Sequence, residues 1–589
     1  MTHHLRYVLI FTLLAPALRA SAADALDAAS REAIRELVRK EMKARDTAAL
    51  SLAVIDDQQL SWTEGFGYAD RERRIAARPD TQYAVGELSM LLTAAAVLQY
   101  VDQGTIALDQ PVRRWLPEFS MRSRFALSPQ TITVRQLLSH HGGLPAMYFH
   151  GLWTPTPEPL VSFVARLREE YVAAPPGAVQ IPSFLGYDVL GRLLEVVCGR
   201  SFADCLHERL LQPLGMNDST FDPRADGRTL AMHYWTDKPV PSQTVRDVPA
   251  ARLRSSAADL ARFVQMLFAQ GRVDGRALLT PRSVNEMLRV QNADVALDFD
   301  SRTGLAWRLS GVRFPQARRV AWLNNEAPFS RGRVLIVPEH KLGVVVLTNS
   351  SGSSEAVQHV SERLMQLLLE QRRLPVVAEP PATALTAGSR APTRADIEGD
   401  YATVLGLIRV RASGERYRAE LLGKTIELFP QPVGLLAPEY RLLGLIPIPI
   451  AGLREVRLAV ADVAGHHLAL AHVRNTTQRF GERVAPVALS DAWRRRLGVY
   501  RAVTRDPLLD LVKFGDVLLT YRDGLLLFRY RVPGWLGLVV EVPVRPVSDT
   551  ELVSEGIGWM LGETARVVPR DGRELLRYSG YEFRLVGRP

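Results

Sequence analysis

The stretch YAVGELSMLLTAAAVLQYVDQGTIALDQPV, from Tyr83 to Val112, is typical of the helix that opens a catalytic site. It contains no lysine, and its first serine, Ser89, stands three residues after Gly86 rather than directly after it. A catalytic helix of this kind needs both groups near its first turn, because one helical turn places an amine beside a hydroxyl. The stretch therefore predicts the frame of an active site without its usual reactive groups.

Around this helix the chain alternates helical and strand patterns from Leu26 to Leu368. REAIRELVRKEMKA predicts an amphipathic opening helix, and LSLAVIDDQQLSWTEGFGYAD predicts two strands. KLGVVVLTN predicts a later strand, and SEAVQHVSERLMQLLLEQ predicts a long closing helix. The fold class is therefore α/β (α+β): a sandwich of one antiparallel sheet and helices, with a separate helical region.

A change of composition follows Arg373. Residues 374–395 are rich in Pro, Ala, Thr and Gly, which predicts a linker between two domains. Residues 396–589 contain short strand patterns separated by turn signals, which predicts an all-β domain, a barrel or a sandwich. IEGDYATV at Ile397 and LGVYRAV at Leu497 are similar, so this domain has two related halves unless the match is due to chance.

The first 22 residues have the pattern of a signal peptide. A weakly basic start precedes an apolar run from Tyr7 to Leu18, and Ala20-Ser21-Ala22 has the small-residue form that a signal peptidase accepts. About 12 apolar residues are too few to span a bilayer, which favours cleavage after Ala22 over an uncleaved anchor. We therefore expect an exported, periplasmic protein whose first folded domain covers residues 23–373.

The chain has two cysteines, Cys198 and Cys205, in the segment CGRSFADC. In an oxidising, exported setting they could form a disulfide. Two buried free thiols are the alternative, and the spacing does not decide between them.

The formal net charge of the chain is +10, and arginine carries almost all of the positive charge. Such a surface attracts anionic envelope components, such as cell-wall polymers, cell-wall peptide or membrane lipids, and permits peripheral membrane contact. Because the arginines are spread without clusters, a plain solvated surface is the alternative. No nucleic-acid partner and no cofactor is predicted. No metal is predicted either, because the adjacent histidine pairs 140/141 and 466/467 do not form a metal-ligand cluster.

Residues 26–370 contain several separate sequence blocks that follow one another in a characteristic order. Among them are TAAAVLQYVDQGTIALDQPVRRWLPEF, ITVRQLLSHHGGLP, GYDVLGRLLEVVCGRSFADCLHERLLQPLGMNDSTF and VPEHKLGVVVLTN. On these blocks the region resembles the serine beta-lactamase and penicillin-binding-protein-like family of serine hydrolases, in the branch near class C beta-lactamases. The resemblance implies a beta-lactamase/transpeptidase-like sandwich with a helical subdomain. The C-terminal region more weakly resembles the lipocalin-like barrels that some members carry.

The first family motif, G-S-x-S-K-x-x-T, supplies the nucleophilic serine and a lysine base. Aligned on Gly86, Ser89 and Thr93, this sequence has Glu87 at the nucleophile and Met90 at the lysine. The resemblance therefore implies that both reactive groups have been lost.

The second family motif, Y-S-N, relays protons and holds the substrate, and here it reads Pro182, Ser183 and Phe184. Proline has no side-chain proton to give, and phenylalanine cannot hydrogen-bond a substrate carbonyl. The third motif, K-T-G or H-x-G on a strand beside the cleft, falls near Leu323, with Asn324 following it. No His or Lys occurs between Ala321 and Glu339.

Other residues offer alternatives to the lost groups. Glu87 is either a cap at the start of the helix, where the dipole favours a carboxylate, or a general base in a closed cleft. Ser89 could replace the nucleophile, yet the residue three positions on is Leu92. His140 matches a family position outside the catalytic motifs, and His141 is expected on a loop surface.

The function that these observations favour is an exported, catalytically inactive member of the family, a pseudoenzyme that acts by binding a ligand or partner. The degenerate catalytic positions are Glu87, Met90, Pro182 and Phe184, and the expected cleft is formed by Glu87, Ser89, Ser183, Phe184, Leu323 and Asn324. One alternative is a serine hydrolase of peptides, esters or amides with non-standard residues. Another is binding of apolar ligands or membrane surfaces through the β domain, for instance through LLGLIPIPIAGL and VPGWLGLVV.

Overall fold

The computed structural model describes residues 26–588, except 155, 223–229, 242–243, 378–391, 443–445, 449–454, 474–475, 506–514 and 532–537. The expected signal peptide therefore lies outside the described residues. So do most of the expected linker and most of the two apolar segments LLGLIPIPIAGL and VPGWLGLVV. Within the described part of the chain, no helix is both long and apolar enough to cross a membrane.

The first domain mixes helices and strands. Its described α-helices are α1 (Ala28–Ala44), α2 (Ser89–Asp102), α3 (Val134–Leu138), α4 (Leu160–Arg166), α5 (Phe184–Cys198), α6 (Phe202–Leu206), α7 (Val248–Ala251), α8 (Ala257–Phe268), α9 (Pro281–Met287) and α10 (Ser354–Gln371). Its described strands are β1 (Ala49–Asp56), β2 (Gln59–Asp70), β3 (Ile75–Ala76), β4 (Tyr83–Ala84), β5 (His233–Trp235), β6 (Lys238–Val240), β7 (Arg254–Ser255), β8 (Arg272–Val273), β9 (Arg276–Ala277), β10 (Ala321–Asn325), β11 (Arg331–Val337) and β12 (Leu342–Thr348).

One antiparallel sheet, in the order β10-β11-β12-β1-β2-β3, forms the centre of this domain. Alternate residues of β1 point to opposite faces, so Leu50 and Leu52 pack with α1 and α10, whereas Ala53 and Ile55 pack with α2 and α8. Because both faces are covered, the strand is apolar on both sides and almost fully buried. The predicted sandwich of sheet and helices is confirmed.

The C-terminal region contains two sets of strands, each preceded by a short helix. The first set is α11 (Arg394–Ile397), β13 (Gly399–Thr403), β14 (Gly406–Ser413), β15 (Arg416–Leu421), β16 (Lys424–Pro430), β17 (Leu436–Leu442), β18 (Ile446–Ile448), β19 (Val456–Val463), β20 (His466–Val473) and β21 (Thr476–Val484). The second set is α12 (Asp491–Arg495), β22 (Gly498–Ala502), β23 (Val517–Arg522), β24 (Leu525–Arg531), β25 (Val539–Pro546), β26 (Glu551–Ser554), β27 (Thr564–Arg570), β28 (Arg573–Tyr578) and β29 (Tyr581–Gly587).

Each set closes into a barrel of eight strands. In barrel 1 the ring runs β16-β15-β14-β13-β21-β20-β19-β17 and closes through the pairing of β16 with β17. In barrel 2 the strands β22 to β29 pair in sequence and β29 returns to β22. The all-β prediction is confirmed, but the expected barrel occurs twice, because strand patterns in a sequence do not say which strands pair.

The two barrels begin in the same way. The hydroxyl of Tyr401, the third residue of β13, donates to the carbonyl of Ile397 at 2.9 Å. The hydroxyl of Tyr500, the third residue of β22, donates to the carbonyl of Arg496 at 2.8 Å. The same tyrosine contact four residues back explains the resemblance of the two segments and supports two related halves over chance.

Both barrels pack against the first domain beside the segment 140–183. Barrel 1 contributes Leu468 and Leu470 to a cluster with Val179 and Ile181. In barrel 2, the hydroxyl of Ser579 accepts a hydrogen bond from the backbone amide of Phe149 at 2.8 Å. The loops that precede α5 are therefore held between the helical region and the barrels.

A buried carboxyl group, Glu563, lies in the contact between barrel 2 and the first domain. It accepts hydrogen bonds from the hydroxyl of Tyr578 at 2.6 Å and from the backbone amide of Ala146 at 3.3 Å. Burial raises the pKa of Glu563 to about 7, and these two donors only partly oppose that rise.

The contact is expected to weaken as the pH rises. In the folded protein the pKa of Glu563 lies above its ordinary value of 4.5. The protonated carboxyl group therefore contributes its full stabilisation below pH 4.5, and this stabilisation is lost as the pH rises to about 7. The loss amounts to about 3 kcal/mol. Thermal unfolding of wild type and Glu563→Gln across this range tests it: the variant should lack this pH dependence, and parallel curves would contradict the expectation.

The two cysteines form a disulfide between the end of α5 and α6, with 6.2 Å between their Cα atoms. The sequence left this pairing open, and the structure decides it against two free thiols.

Candidate functional site

The chain enters α2 through a single 3-10 turn, Gly86–Leu88. Ser89 begins the α-helix, and its side chain is completely buried. Its hydroxyl donates to the carbonyl of Gly86 at 2.6 Å and accepts from the backbone amide of Leu253 at 2.8 Å. Ser89 therefore does not line an open cleft as expected, because its hydroxyl ties the turn to the segment before β7.

Met90 lies one residue further on and is 3% exposed. It belongs to the apolar core shared by α2, α5 and α8. Where the family motif has an amine, this chain therefore has a packed thioether side chain with no group that accepts a proton at neutral pH.

Glu87 does not cap α2, in contrast to one of the two interpretations of the sequence. The helix has no side-chain cap, and a carboxylate oxygen of Glu87 accepts a hydrogen bond from the backbone amide of Glu326 at 3.0 Å. Glu87 is half-buried but densely surrounded by protein atoms, and this burial raises its pKa.

Asn325, at the end of β10, holds the loop that supplies this amide. Its side-chain NH2 donates to the carbonyl of Ala84 and to the hydroxyl of Ser330, and its Oδ1 accepts from the amide of Ala327. Gly86 has a φ of +46°, and a Cβ there would lie 2.0 Å from Asn325 Oδ1. Only glycine therefore allows the turn and the loop to approach this closely.

The two residues expected from the third family motif lie on opposite faces of β10. Leu323 is 8% exposed and packs in the core on the side of α2. Asn324 points to the other face, because side chains alternate along a strand, and its amide donates to Glu326 Oε1 at 3.0 Å. The structure therefore does not bring Asn324 to the same side as Leu323, and Asn325 is the amide residue that meets Gly86.

The second motif stands at the start of α5. Ser183 is the N-cap: its hydroxyl accepts from the amide of Gly186 and donates to the carbonyl of Pro145 at 2.6 Å. Pro182 and Phe184 are half-buried, and Phe184 packs against the core. Ser183 is 3% exposed, so it serves the helix cap rather than an open cleft.

His140 adopts a left-handed backbone conformation with a φ of +63°. Its Nδ1 accepts a hydrogen bond from the amide of Ser183 at 3.1 Å. Burial, together with the positive charges of Arg308 and His141, lowers the pKa of His140 to about 3. His140 is therefore neutral at physiological pH, and the proton of its ring is on Nε2.

His141 takes part in a buried chain of polar groups rather than lying on a loop surface. Its Nε2 lies 2.8 Å from Asp298 Oδ2, and its Nδ1 lies 3.1 Å from the hydroxyl of Ser139. The chain contains the residue types of a catalytic triad, but the three side chains are almost fully buried, and Ser139 donates to the carbonyl of Arg135. We interpret it as a structural contact between the loop and the segment around Asp298.

Among the residues that the structure describes, no group of three or more His, Cys, Asp or Glu side chains could hold a metal ion. Burial and the neighbouring carboxylate of Glu326 disfavour the ionised form of Glu87, whereas the backbone amide of Glu326 and the guanidinium charge of Arg331 favour it.

A sequence model described as Beta-lactamase matches residues 34–368, more than half of the chain. The chain belongs to the beta-lactamase family. A human relative, "Putative beta-lactamase-like 1", is 25% identical over 328 residues, which are 54% of this chain and 64% of that protein. The chain thus spans less than two thirds of the length of this relative.

Two solved structures share the fold of this beta-lactamase family member. The octameric penicillin-binding protein homologue from Pyrococcus abyssi has a TM-score of 0.51 and 23% identity, and covers 77% of this chain and 98% of its own. SurE with D-Leu has a TM-score of 0.56 and 20% identity, and covers 78% of this chain and 100% of its own. At these identities the likeness concerns the fold alone, and its extent reaches beyond residues 34–368.

The sequence does not predict three groups of this site. The amide of Glu326 carries no sequence signal, because every residue except proline has one. The role of Asn325 depends on the face of β10 to which it points. Arg331 is close to Glu87 only through the pairing of β10 with β11. The Gly86-Glu87 pair, where the family motif has Gly-Ser, is the sequence signal that marks this position.

Proposed function

We propose that this member of the beta-lactamase family binds a ligand or partner without forming an acyl-enzyme. The observation that carries the proposal is the entrance to α2, where Glu87 and Met90 stand at the positions of the nucleophilic serine and its lysine base. The Glu87 carboxylate is engaged by a backbone amide, and the Met90 side chain is packed in the core. Acyl transfer needs an activated nucleophile with an adjacent base, and neither position supplies one.

The contacts of the other candidate catalytic residues give little support to the alternative, a hydrolase with relocated catalytic residues. The hydroxyl of Ser89 is buried and has both a donor and an acceptor partner within the protein. Ser139 and His141 are 2% and 4% exposed, so a substrate carbonyl has no access to them. These observations favour binding over turnover.

The alternative of an apolar ligand inside the β region is not supported by the described part of barrel 2. Its interior is filled by its own side chains, including Trp493, Tyr500, Leu519, Leu526, Val544, Leu552, Leu576 and Phe583. A closed barrel of eight strands has an interior that side chains can fill completely.

Export to the periplasm is part of the proposal. The Cys198–Cys205 disulfide supports it, because disulfides persist in oxidising compartments. The net charge of +10 is suited to cell-wall peptide or another anionic envelope component, and to peripheral contact with the membrane.

We expect the purified protein to remain unlabelled by a fluorescent penicillin and by a fluorophosphonate, read on a denaturing gel. A penicillin-reactive protein treated in parallel is the control for both reagents, and heat-denatured protein is the control for unspecific reaction. A band that unlabelled penicillin competes away would overturn the proposal. Mass spectrometry of the labelled peptide would then identify the nucleophile.

Ligand binding is tested separately, by the melting temperature of the protein. Cell-wall peptides are expected to raise the melting temperature of the protein, whereas the same peptides amidated at the C-terminus are expected to have a smaller effect, because the net charge of +10 favours an anionic ligand. An equal shift with both peptide forms would contradict recognition of the carboxylate.

A further inference from the structure

A groove lies on barrel 2, between helix α12 and the strands β27, β28 and β29. Its volume is about 330 Å³, within the range of roughly 300–1,000 Å³ that small-molecule sites occupy. Four aliphatic side chains supply the apolar part of its lining: Val567, Leu575, Leu576 and Leu585. Because a concave apolar surface with a few polar groups is the usual form of a ligand site, this groove is a candidate for one.

The groove is closed from below and has a fixed wall. Tyr500 and Leu576 belong both to its lining and to the packed core of barrel 2, so a ligand would stay outside the filled interior of the barrel. Trp493 anchors α12: its ring is completely buried in the same core, and its Nε1 donates to the carbonyl of Ser548 at 2.7 Å. The site is therefore preformed, which lowers the cost of ordering on binding.

The charged groups of the lining favour an anion. Both carboxylate oxygens of Glu574 accept from the guanidinium of Arg496, at 2.9 and 2.7 Å, so these two charges compensate each other. Arg495 and Arg588 also line the groove, and both are exposed. Neither of their side chains forms a hydrogen bond or an ion pair with a residue that the structure describes. Two uncompensated guanidinium groups thus lie beside one apolar surface.

We propose that this groove binds an amphipathic anion with a single apolar chain, such as a medium-chain fatty acid. Arg495 and Arg588 bind the carboxylate, because the guanidinium fork matches its two oxygens. The chain lies on Val567, Leu575 and Leu585. An anionic lipid in a bilayer has the same two chemical features, and we assign the site to the free amphiphile. This inference goes beyond the proposed function, because the groove shares no residue with the site around Glu87.

The experiment is calorimetric titration of the full chain with sodium octanoate, below its micelle concentration and at constant ionic strength. We expect one saturable binding event. Sodium butanoate, which is four methylene groups shorter, should bind more weakly by more than roughly tenfold, because less apolar surface is buried. Octylammonium chloride has the same chain with a cationic head and should not bind. Equal binding of octanoate and octylammonium, or no saturable binding of octanoate, would overturn the proposal.

The double variant Arg495→Gln, Arg588→Gln tests the two guanidinium groups. Its Kd for octanoate should rise roughly tenfold, since two charge contacts at the surface are lost. Arg494→Gln is the matched control, because Arg494 lies on the same helix, pairs with Asp491 at 3.9 Å and does not line the groove. All three arginines are exposed, so the variants should fold. An unchanged Kd in the double variant, or an equal rise in the control, would contradict the proposal.

A second variant, Ala492→Phe, tests the groove itself. Ala492 is half-buried and lines the groove from α12, so a phenyl ring there should occupy the space of the chain and abolish octanoate binding. Wild-type affinity in this variant would place the ligand elsewhere and overturn the proposal. Sedimentation with phosphatidylglycerol vesicles separates the two sources of amphiphile. Capture by vesicles that depends on Arg495 and Arg588, without binding of free octanoate, would assign the surface to a bilayer and likewise overturn it.

Discussion

Replacing Glu87 by serine is expected to leave the protein without measurable acylation by penicillin. The new hydroxyl would have no base to accept its proton, because Met90 stands at the lysine position and is packed in the core. It would also have no proton relay, because Pro182 stands at the tyrosine position. In a serine hydrolase, loss of such a group costs on the order of a millionfold in turnover, about 8 kcal/mol of barrier.

The measurement is single-turnover labelling of Glu87→Ser by a fluorescent penicillin, followed by mass spectrometry of the intact protein. The combined variant Glu87→Ser, Met90→Lys, Pro182→Tyr, Phe184→Asn is the comparison, and Met90→Lys alone is its stability control. Burial at position 90 would lower the pKa of the new lysine and so favour the neutral amine that a base requires. Rapid labelling of Glu87→Ser alone would show that another residue supplies the base.

Replacing Arg246 by methionine is expected to destabilise the first domain by about 3–5 kcal/mol, or roughly 5–15 °C in melting temperature. Its guanidinium is 2% exposed, forms an ion pair with Asp247 at 2.7 Å and donates to the carbonyls of Tyr148 and His150. Without it, the buried carboxyl group of Asp247 and the two carbonyls each lose a hydrogen-bond donor. Thermal unfolding followed by circular dichroism checks this, and a shift of less than about 2 °C would contradict it.

Asp188→Asn is the matched control, because Asp188 lies in the same cluster and its burial favours the uncharged form. Burial raises the pKa of Asp188 well above its ordinary value, and the adjacent charge of Asp247 adds to the rise. An asparagine has the size of the protonated carboxyl and is also uncharged, so we expect a change within about 1 kcal/mol at neutral pH. The stability linked to Asp188 is lost as the pH rises toward its raised pKa, and the variant should lack that loss.

The sequence predicted the sandwich because the apolar patterns that mark its helices and strands are local. Apolar spacing marks α1 and α10, and the run around Val344 marks a strand buried on both faces. The identity of Glu87, Met90, Pro182 and Phe184 is likewise fixed by the sequence alone, and with it the absence of the family's reactive groups at these positions.

The pairing of strands was not predictable in the same way. Strands in the C-terminal region are short and separated by similar turns, so one barrel and two barrels have the same local pattern. Each ring is closed by hydrogen bonds between two strands, β16 with β17 and β29 with β22. These strands meet only when all the other strands of the ring have paired. Only the tertiary structure could therefore show that the barrel occurs twice.

The sequence by itself determined which side chains this family member has at the positions aligned with the family motifs, because that is a matter of residue identity in a fixed register. Only the tertiary structure decided what these side chains contact. The contact between Glu87 and the amide of Glu326 joins residues 239 positions apart, and the turn at Gly86 and the contacts of Asn325 make it possible. A backbone amide has no sequence signal, so its direction emerges only when the loop after β10 folds against the start of α2.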